Sequence, residues 1–159
     1  KIFDNKDATV LPGITDYGWL QIYGETGSDL SKWPTEKHFT SWLGLAPGQH
    51  RSGKMNKSRN RKQHPKAGQI FRQLSQSLIE SKQIALGAFG RKIKNKKGAG
   101  VAVKATARKL AVLYWKLMVK GLAYTEKGIA AYEERIKLQQ ERWLQKTAKK
   151  LGYQLTVSA

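Results

Sequence analysis

The chain has 159 residues, with 30 Lys and Arg against 11 Asp and Glu, a formal charge of +19 and no cysteine. That length corresponds to one ordinary domain, with or without an extended arm, and supports a real hydrophobic core; the missing cysteine excludes disulfide frameworks, thiol catalysis and Cys-ligated zinc. A hydrophobic content of 40% with five Trp and six Tyr is too rich for a disordered basic tail, so the charge rides on a folded body.

The charge is unevenly placed. Residues 1–36 sum to −3, residues 37–125 to +19 with Glu80 as their one acid, and residues 126–159 to +3. A stretch of that sign asymmetry repels itself unless a polyanion neutralises it, and nucleic acid is the obvious polyanion. A solvated basic surface or an anionic membrane surface would fit the charge alone. A membrane span is not expected, because the most apolar stretch, Val101–Val119, carries Lys104, Arg108, Lys109 and Lys116. The first residues, Lys1-Ile2-Phe3-Asp4, lack the features of a signal peptide, and the chain reads as the C-terminal piece of a longer protein.

Taken in order, Leu11-Pro12-Gly13-Ile14-Thr15 is a turn before an apolar-periodic segment, which predicts a helix with Thr15 or Asp16 as N-cap. The hydrophobic-Pro-Gly-hydrophobic opening also suits a helix-hairpin-helix, although the usual second glycine is Thr15 here. Pro34-Thr35 predicts a second helix, with Phe39, Trp42 and Leu43 on one face and Gly44 as its stop. His38 beside that face reads as a packed or surface histidine, since no second ligand stands at metal spacing. Residues 44–66 form a long loop with almost no apolar residues. Ile70, Phe71, Leu74, Leu78 and Ile79 then predict one helix, and Ile84, Ala88, Phe89 and Ile93 the next. Arg91–Gly100 reads as a second basic loop. Val103, Ala107, Leu110, Ala111, Tyr114, Leu117 and Met118 predict a strongly amphipathic helix ended by Gly121. A last helix is expected from Thr125 to Leu151, capped by Thr125, with a thin stripe of Ile129, Tyr132, Ile136 and Trp143. The expected fold is all-α: a compact helical domain over 1–125 with a long basic loop, and a helical extension over 126–159.

The loop is the chemically suggestive part. Between Gln49 and Arg72 it carries Arg51, Lys54, Lys57, Arg59, Arg61, Lys62, Lys66 and Arg72 and no carboxylate. Such a set can neutralise several phosphates, and Arg can clamp phosphate oxygens and stabilise charge developing in phosphoryl transfer. Gly53 leaves room for the backbone to approach a ligand. A hydroxyl among guanidinium groups can serve as a phosphodiester nucleophile, but Ser52 and Ser58 both fit that description, and each would ordinarily be a phosphate hydrogen-bond donor. His50 and His64 flank the loop and can be argued as general bases. Arg91 and Lys92 in the second basic loop and Arg108 on the following helix extend the candidate nucleic-acid contacts. No GxxxxGK[ST] loop, HExxH motif or acidic cluster is present, so no metal ligand set is expected in this chain.

Three ordered blocks carry a resemblance: Asp29-Leu30-Ser31-Lys32-Trp33-Pro34-Thr35-Glu36-Lys37-His38-Phe39-Thr40-Ser41-Trp42-Leu43-Gly44-Leu45-Ala46-Pro47-Gly48, then Ser52-Gly53-Lys54, then Ala105-Thr106-Ala107-Arg108-Lys109-Leu110-Ala111-Val112. Over about residues 9–125 the chain resembles the C-terminal half of the DEDD insertion-sequence transposases, the bridge-RNA-guided recombinases of the insertion-sequence one-ten group. The resemblance implies an N-terminal RuvC-like domain with a metal-binding acidic tetrad, and a C-terminal helical domain carrying a catalytic serine at the position of Ser52. That serine is expected to attack the DNA backbone and form a covalent phosphoserine, while a guide RNA pairs with donor and target DNA. Relatives often have a second glycine before the lysine where this chain has only Gly53.

The resemblance further implies a homo-oligomer in the cytoplasm of a bacterium or archaeon, associated with the nucleoid. No cofactor is expected on this chain; Mg2+ is expected in the RuvC-like half, without which the chain should not cleave DNA. Two other readings stand beside a serine recombinase domain: a non-catalytic module binding RNA or DNA, and a structural RNA-scaffolding protein.

Overall fold

The computed structural model describes residues 6–47, 65–81 and 85–155, together with the backbone of 51–52 and 55–56. A 3-10 turn over Ala8–Val10 is followed by α1 (Asp16–Thr26), α2 (Glu36–Trp42), β1 (Arg51–Ser52), β2 (Met55–Asn56), α3 (Lys66–Glu80), α4 (Ala85–Lys97), α5 (Ala99–Lys120) and α6 (Leu122–Leu151). The two short strands pair antiparallel and make the one sheet among the described residues. The fold is all-α, as expected.

The predicted caps close the early helices. The Thr15 hydroxyl accepts from the Gly18 N–H at 3.1 Å to open α1, and the Thr35 hydroxyl accepts from the His38 N–H at 3.4 Å to open α2. Gly44, at φ 69°, stops the chain after α2. Asp7 accepts from the Thr9 N–H and hydroxyl at 2.9 and 2.6 Å, and these bonds hold its carboxyl below the usual value.

The chain divides into two compact units, Lys1–Thr125 and Glu126–Ala159. In the first, α5 is central: α2, α3 and α4 pack on it, and α1 packs on α3. Phe39, Phe71, Leu78, Leu110, Tyr114 and Leu117 are the large side chains at the heart of its core. In the second unit no described residue is buried. Among the described residues no helix is long and apolar enough to cross a membrane.

Two expectations are corrected, and one predicted helix packs through residues other than those that marked it. Arg91–Gly100 is not a loop: α4 continues to Lys97, Gly98 alone intervenes at φ 86°, and α5 begins at Ala99. Lysine is a good helix former, and Lys94, Lys96 and Lys97 in the last turn of α4 complement its negative end. The buried side of α4 is Leu86, Gly87 and Gly90, with Ala88, Phe89 and Ile93 only half-buried; Ile84 lies outside the described residues. The glycines count as core because α4 approaches its neighbours so closely that a Cβ at Gly87 would fall on the Leu78 carbonyl oxygen. Finally, α6 starts at Leu122, and Thr125 is inside it rather than at its cap, its hydroxyl donating to the Gly121 carbonyl at 3.1 Å.

Candidate nucleic-acid interface

Residues 48–64 leave the described fold after α2 and rejoin it at α3, and packing brings those two points together. Five rings form the support. Phe39 meets Trp33 edge-on at 5.0 Å between centroids, Phe71 edge-on at 6.3 Å and Tyr114 in a stack at 6.3 Å, and Trp42 lies 4.7 Å from Trp33. The Trp115 Nε1–H donates to the Trp33 carbonyl at 3.2 Å, tying the approach to α2 onto α5. On this base α3 starts against the end of α2. Gly68 leaves no room for a side chain, since a Cβ there would strike the Leu43 carbonyl oxygen, and Arg72 donates to the Gly44 carbonyl at 3.3 Å. The ends of the basic segment are therefore pinned side by side.

Within the segment, the backbone of Arg51 and Ser52 pairs with that of Asn56 and Met55. The side chains of Arg51 and Ser52, and all of His50, Gly53, Lys54, Lys57, Ser58, Arg59, Arg61, Lys62 and His64, lie outside the described residues. Lys66 is exposed in the first turn of α3, whose start has no side-chain cap. Arg72 is half-buried and spends one donor on Gly44. Arg91 is also half-buried, and its Nη1 donates to the Ile79 carbonyl at 3.0 Å and to that of Ser81, joining α4 to the end of α3. Lys92 is exposed on α4, and Arg108 is half-buried on α5.

The structure adds cations that sequence reading left out of the candidate set: Lys96 on α4, and Lys109, Lys116 and Lys120 on α5. Reading residues 91–100 as a loop hid the helical position of Lys96, while Lys109, Lys116 and Lys120 stand on a helix that was predicted but was read for its apolar face. Neither α4 nor α5 contains an Asp or Glu.

The acids lie elsewhere. Among the described residues no three His, Cys, Asp or Glu side chains come together as metal ligands. His38 is exposed, with Nδ1 2.8 Å from the Thr35 hydroxyl that caps α2. The buried Tyr114 hydroxyl, next to Thr26 and Trp19, is pushed up to about 12 by burial, an effect that those two neighbours reduce. It belongs to the core.

A family model described as Transposase IS116/IS110/IS902 family matches residues 7–89. The matched span includes α1, α2, the basic segment and α3, and ends within α4. No curated protein and no solved structure matches the chain.

Proposed function

Because the chain belongs to the IS116/IS110/IS902 transposase family, we propose that it supplies the serine nucleophile of a DNA transposase, with Ser52 as that residue. The observation that carries this reading is the placement of Ser52. It lies within the matched residues, among eight cations and no carboxylate between Gln49 and Arg72, on a segment whose ends are pinned together by Gly68 and Arg72.

In the proposed step the Ser52 Oγ attacks a phosphodiester phosphorus. The Oγ–P bond forms as the serine O–H bond and the bond from phosphorus to a deoxyribose oxygen break; serine gives up one proton, the departing oxygen takes up one, and it leaves as a hydroxyl. Arg51, Lys54, Lys57, Arg59, Arg61, Lys62, Lys66 and Arg72 would neutralise the phosphates and the charge that develops on the attacked group. Attack by a hydroxyl of an exchanged strand on the phosphoserine reverses the chemistry, restores Ser52 and joins the new strands.

We further propose that a guide RNA selects donor and target DNA by pairing, so the protein needs few base-specific contacts. Homo-oligomeric assembly and an acidic, Mg2+-binding RuvC-like domain complete the enzyme; without that domain the chain alone leaves DNA uncut. The setting proposed is the cytoplasm of a bacterium or archaeon, on nucleoid DNA.

The test combines the chain with a RuvC-like domain of the same family, a structured guide RNA and end-labelled target DNA, and looks for a denaturation-resistant protein–DNA adduct. The adduct is expected with Ser52 and absent with Ser52→Ala, while DNA binding stays within about twofold. An adduct that persists in the variant moves the nucleophile elsewhere and leaves the segment as a phosphate-positioning platform.

A further inference from the structure

The lysines of α4 and α5 are ordered by one contact. The Lys109 ammonium lies over the Phe89 ring, 3.8 Å from its centroid, which puts both residues on the same side of the α4–α5 hairpin. From Phe89 the helical row continues at i+3 and i+7 to Lys92 and Lys96; from Lys109 it continues through Leu113 at i+4 to Lys116 at i+7 and Lys120 at i+11. Since Gly98 alone separates the helices, α4 runs toward the hairpin tip and α5 runs away from it. The two rows therefore join into one line. Lys92, Lys96 and Lys120 are exposed, and Lys109 and Lys116 are half-buried. At 1.5 Å per residue the line from Lys96 to Lys120 is about 27 Å long.

We infer that this line of Lys96, Lys92, Lys109, Lys116 and Lys120 is a track for the phosphate backbone of duplex DNA, built from α4 and α5 and not from the residues between Gln49 and Arg72. The inference rests on the DNA-binding reading of the family and adds a place to it. Lys92–Lys96 and Lys116–Lys120 are like-charged pairs at i,i+4, which destabilise a helix, and neither helix has a carboxylate to offset them. Duplex DNA, with a charge every ~1.7 Å along its axis, supplies that offset. Lysines act as point charges, suited to holding a backbone without reading bases.

The experiment titrates the full chain with a labelled DNA duplex of roughly 30 base pairs over a series of salt concentrations. The track variant carries Lys92→Gln, Lys96→Gln, Lys116→Gln and Lys120→Gln, with Lys109 kept for its packing on Phe89. A control variant removes the same charge from elsewhere, by Lys37→Gln, Lys94→Gln, Lys97→Gln and Lys104→Gln. Circular dichroism and a melting curve establish that both retain the fold.

The track variant is expected to make the slope of log K against log salt shallower by about 3 to 4, equally for unrelated sequences, with a smaller change in the control. Equal changes in both variants would reduce the track to general charge and overturn the inference. So would an unchanged slope in the track variant, or a loss seen only with a stem-loop RNA; in both cases the DNA reading itself stands. Wild-type protein without salt-dependent DNA binding would remove both.

Discussion

α5 and α6 are consecutive helices of 22 and 30 residues, and they use their apolar residues in opposite ways. α5 buries nine residues, among them Ala102, Ala107 and Ala111, whose small side chains let α2, α3 and α4 close in on it. α6 buries only Thr125, which belongs to the first unit. The face that carries Ile129, Tyr132, Ile136 and Trp143 also carries Glu133, Gln140 and Thr147, and Trp143 is 64% exposed. Helical periodicity alone is thus a poor guide to core membership. What separates the two helices is how densely the stripe is filled, and whether small residues let a neighbour approach.

The largest predicted effect strikes the side of this comparison that is packed. Phe39 is fully buried against Trp33, Trp42, Phe71 and Tyr114. Phe39→Ala is expected to cost about 4 kcal/mol in urea unfolding, from lost burial and the cavity left among the rings. A cost under about 1 kcal/mol would mean that the cluster can collapse around the gap, and that the ends of the basic segment do not depend on it.

Tyr114 tests the same core by pH. Its phenol ionises near 10.0 when free and is pushed up to about 12 in the folded chain. The folded state therefore holds its proton over a window in which the unfolded state releases it. The stability this contributes is whole below pH 10 and is lost as the pH rises from 10 through 12. The expected loss is about 2 kcal/mol in that window. Tyr114→Phe should flatten it while leaving the ring packed on Phe39 and Phe71. An equally steep alkaline loss in the variant would place the responsible group elsewhere.

Much of this core was legible before the structure. Thr15, Thr35, Gly44 and Gly121 marked helix ends because caps and stops act through local chemistry. Phe39, Phe71, Leu110, Tyr114 and Leu117 were readable from spacing. What failed was the reading of glycine and lysine together. Residues 91–100 looked like a basic loop, yet the only break is Gly98, and Gly87 and Gly90 are contact surfaces rather than breakers. That is a tertiary property, set by Leu78, Ile79 and Thr106 in other helices. The Lys109–Phe89 contact was out of reach because it joins residues 20 positions apart on two helices, and helical spacing does not say which faces of those helices meet. Ser52 was singled out by resemblance, since residue chemistry alone left it level with Ser58.

The smallest predicted effect lies on the open side of the comparison. Trp143 is the most conspicuous apolar side chain in the second unit, and a purely sequence-based view would count it as core. With 64% of its surface already in solvent, it has little burial to lose. Trp143→Ala is therefore expected to shift the stability of the chain by less than about 0.5 kcal/mol at low protein concentration, the range of ordinary surface substitutions. The measurement is a pair of urea titrations at protein concentrations about a hundredfold apart. A loss near 2 kcal/mol at both would make α6 as well packed as α5 and erase the contrast between them. A loss that appears only at the higher concentration would mean that the stripe is covered by a second copy of the chain, and would give the proposed homo-oligomer its contact.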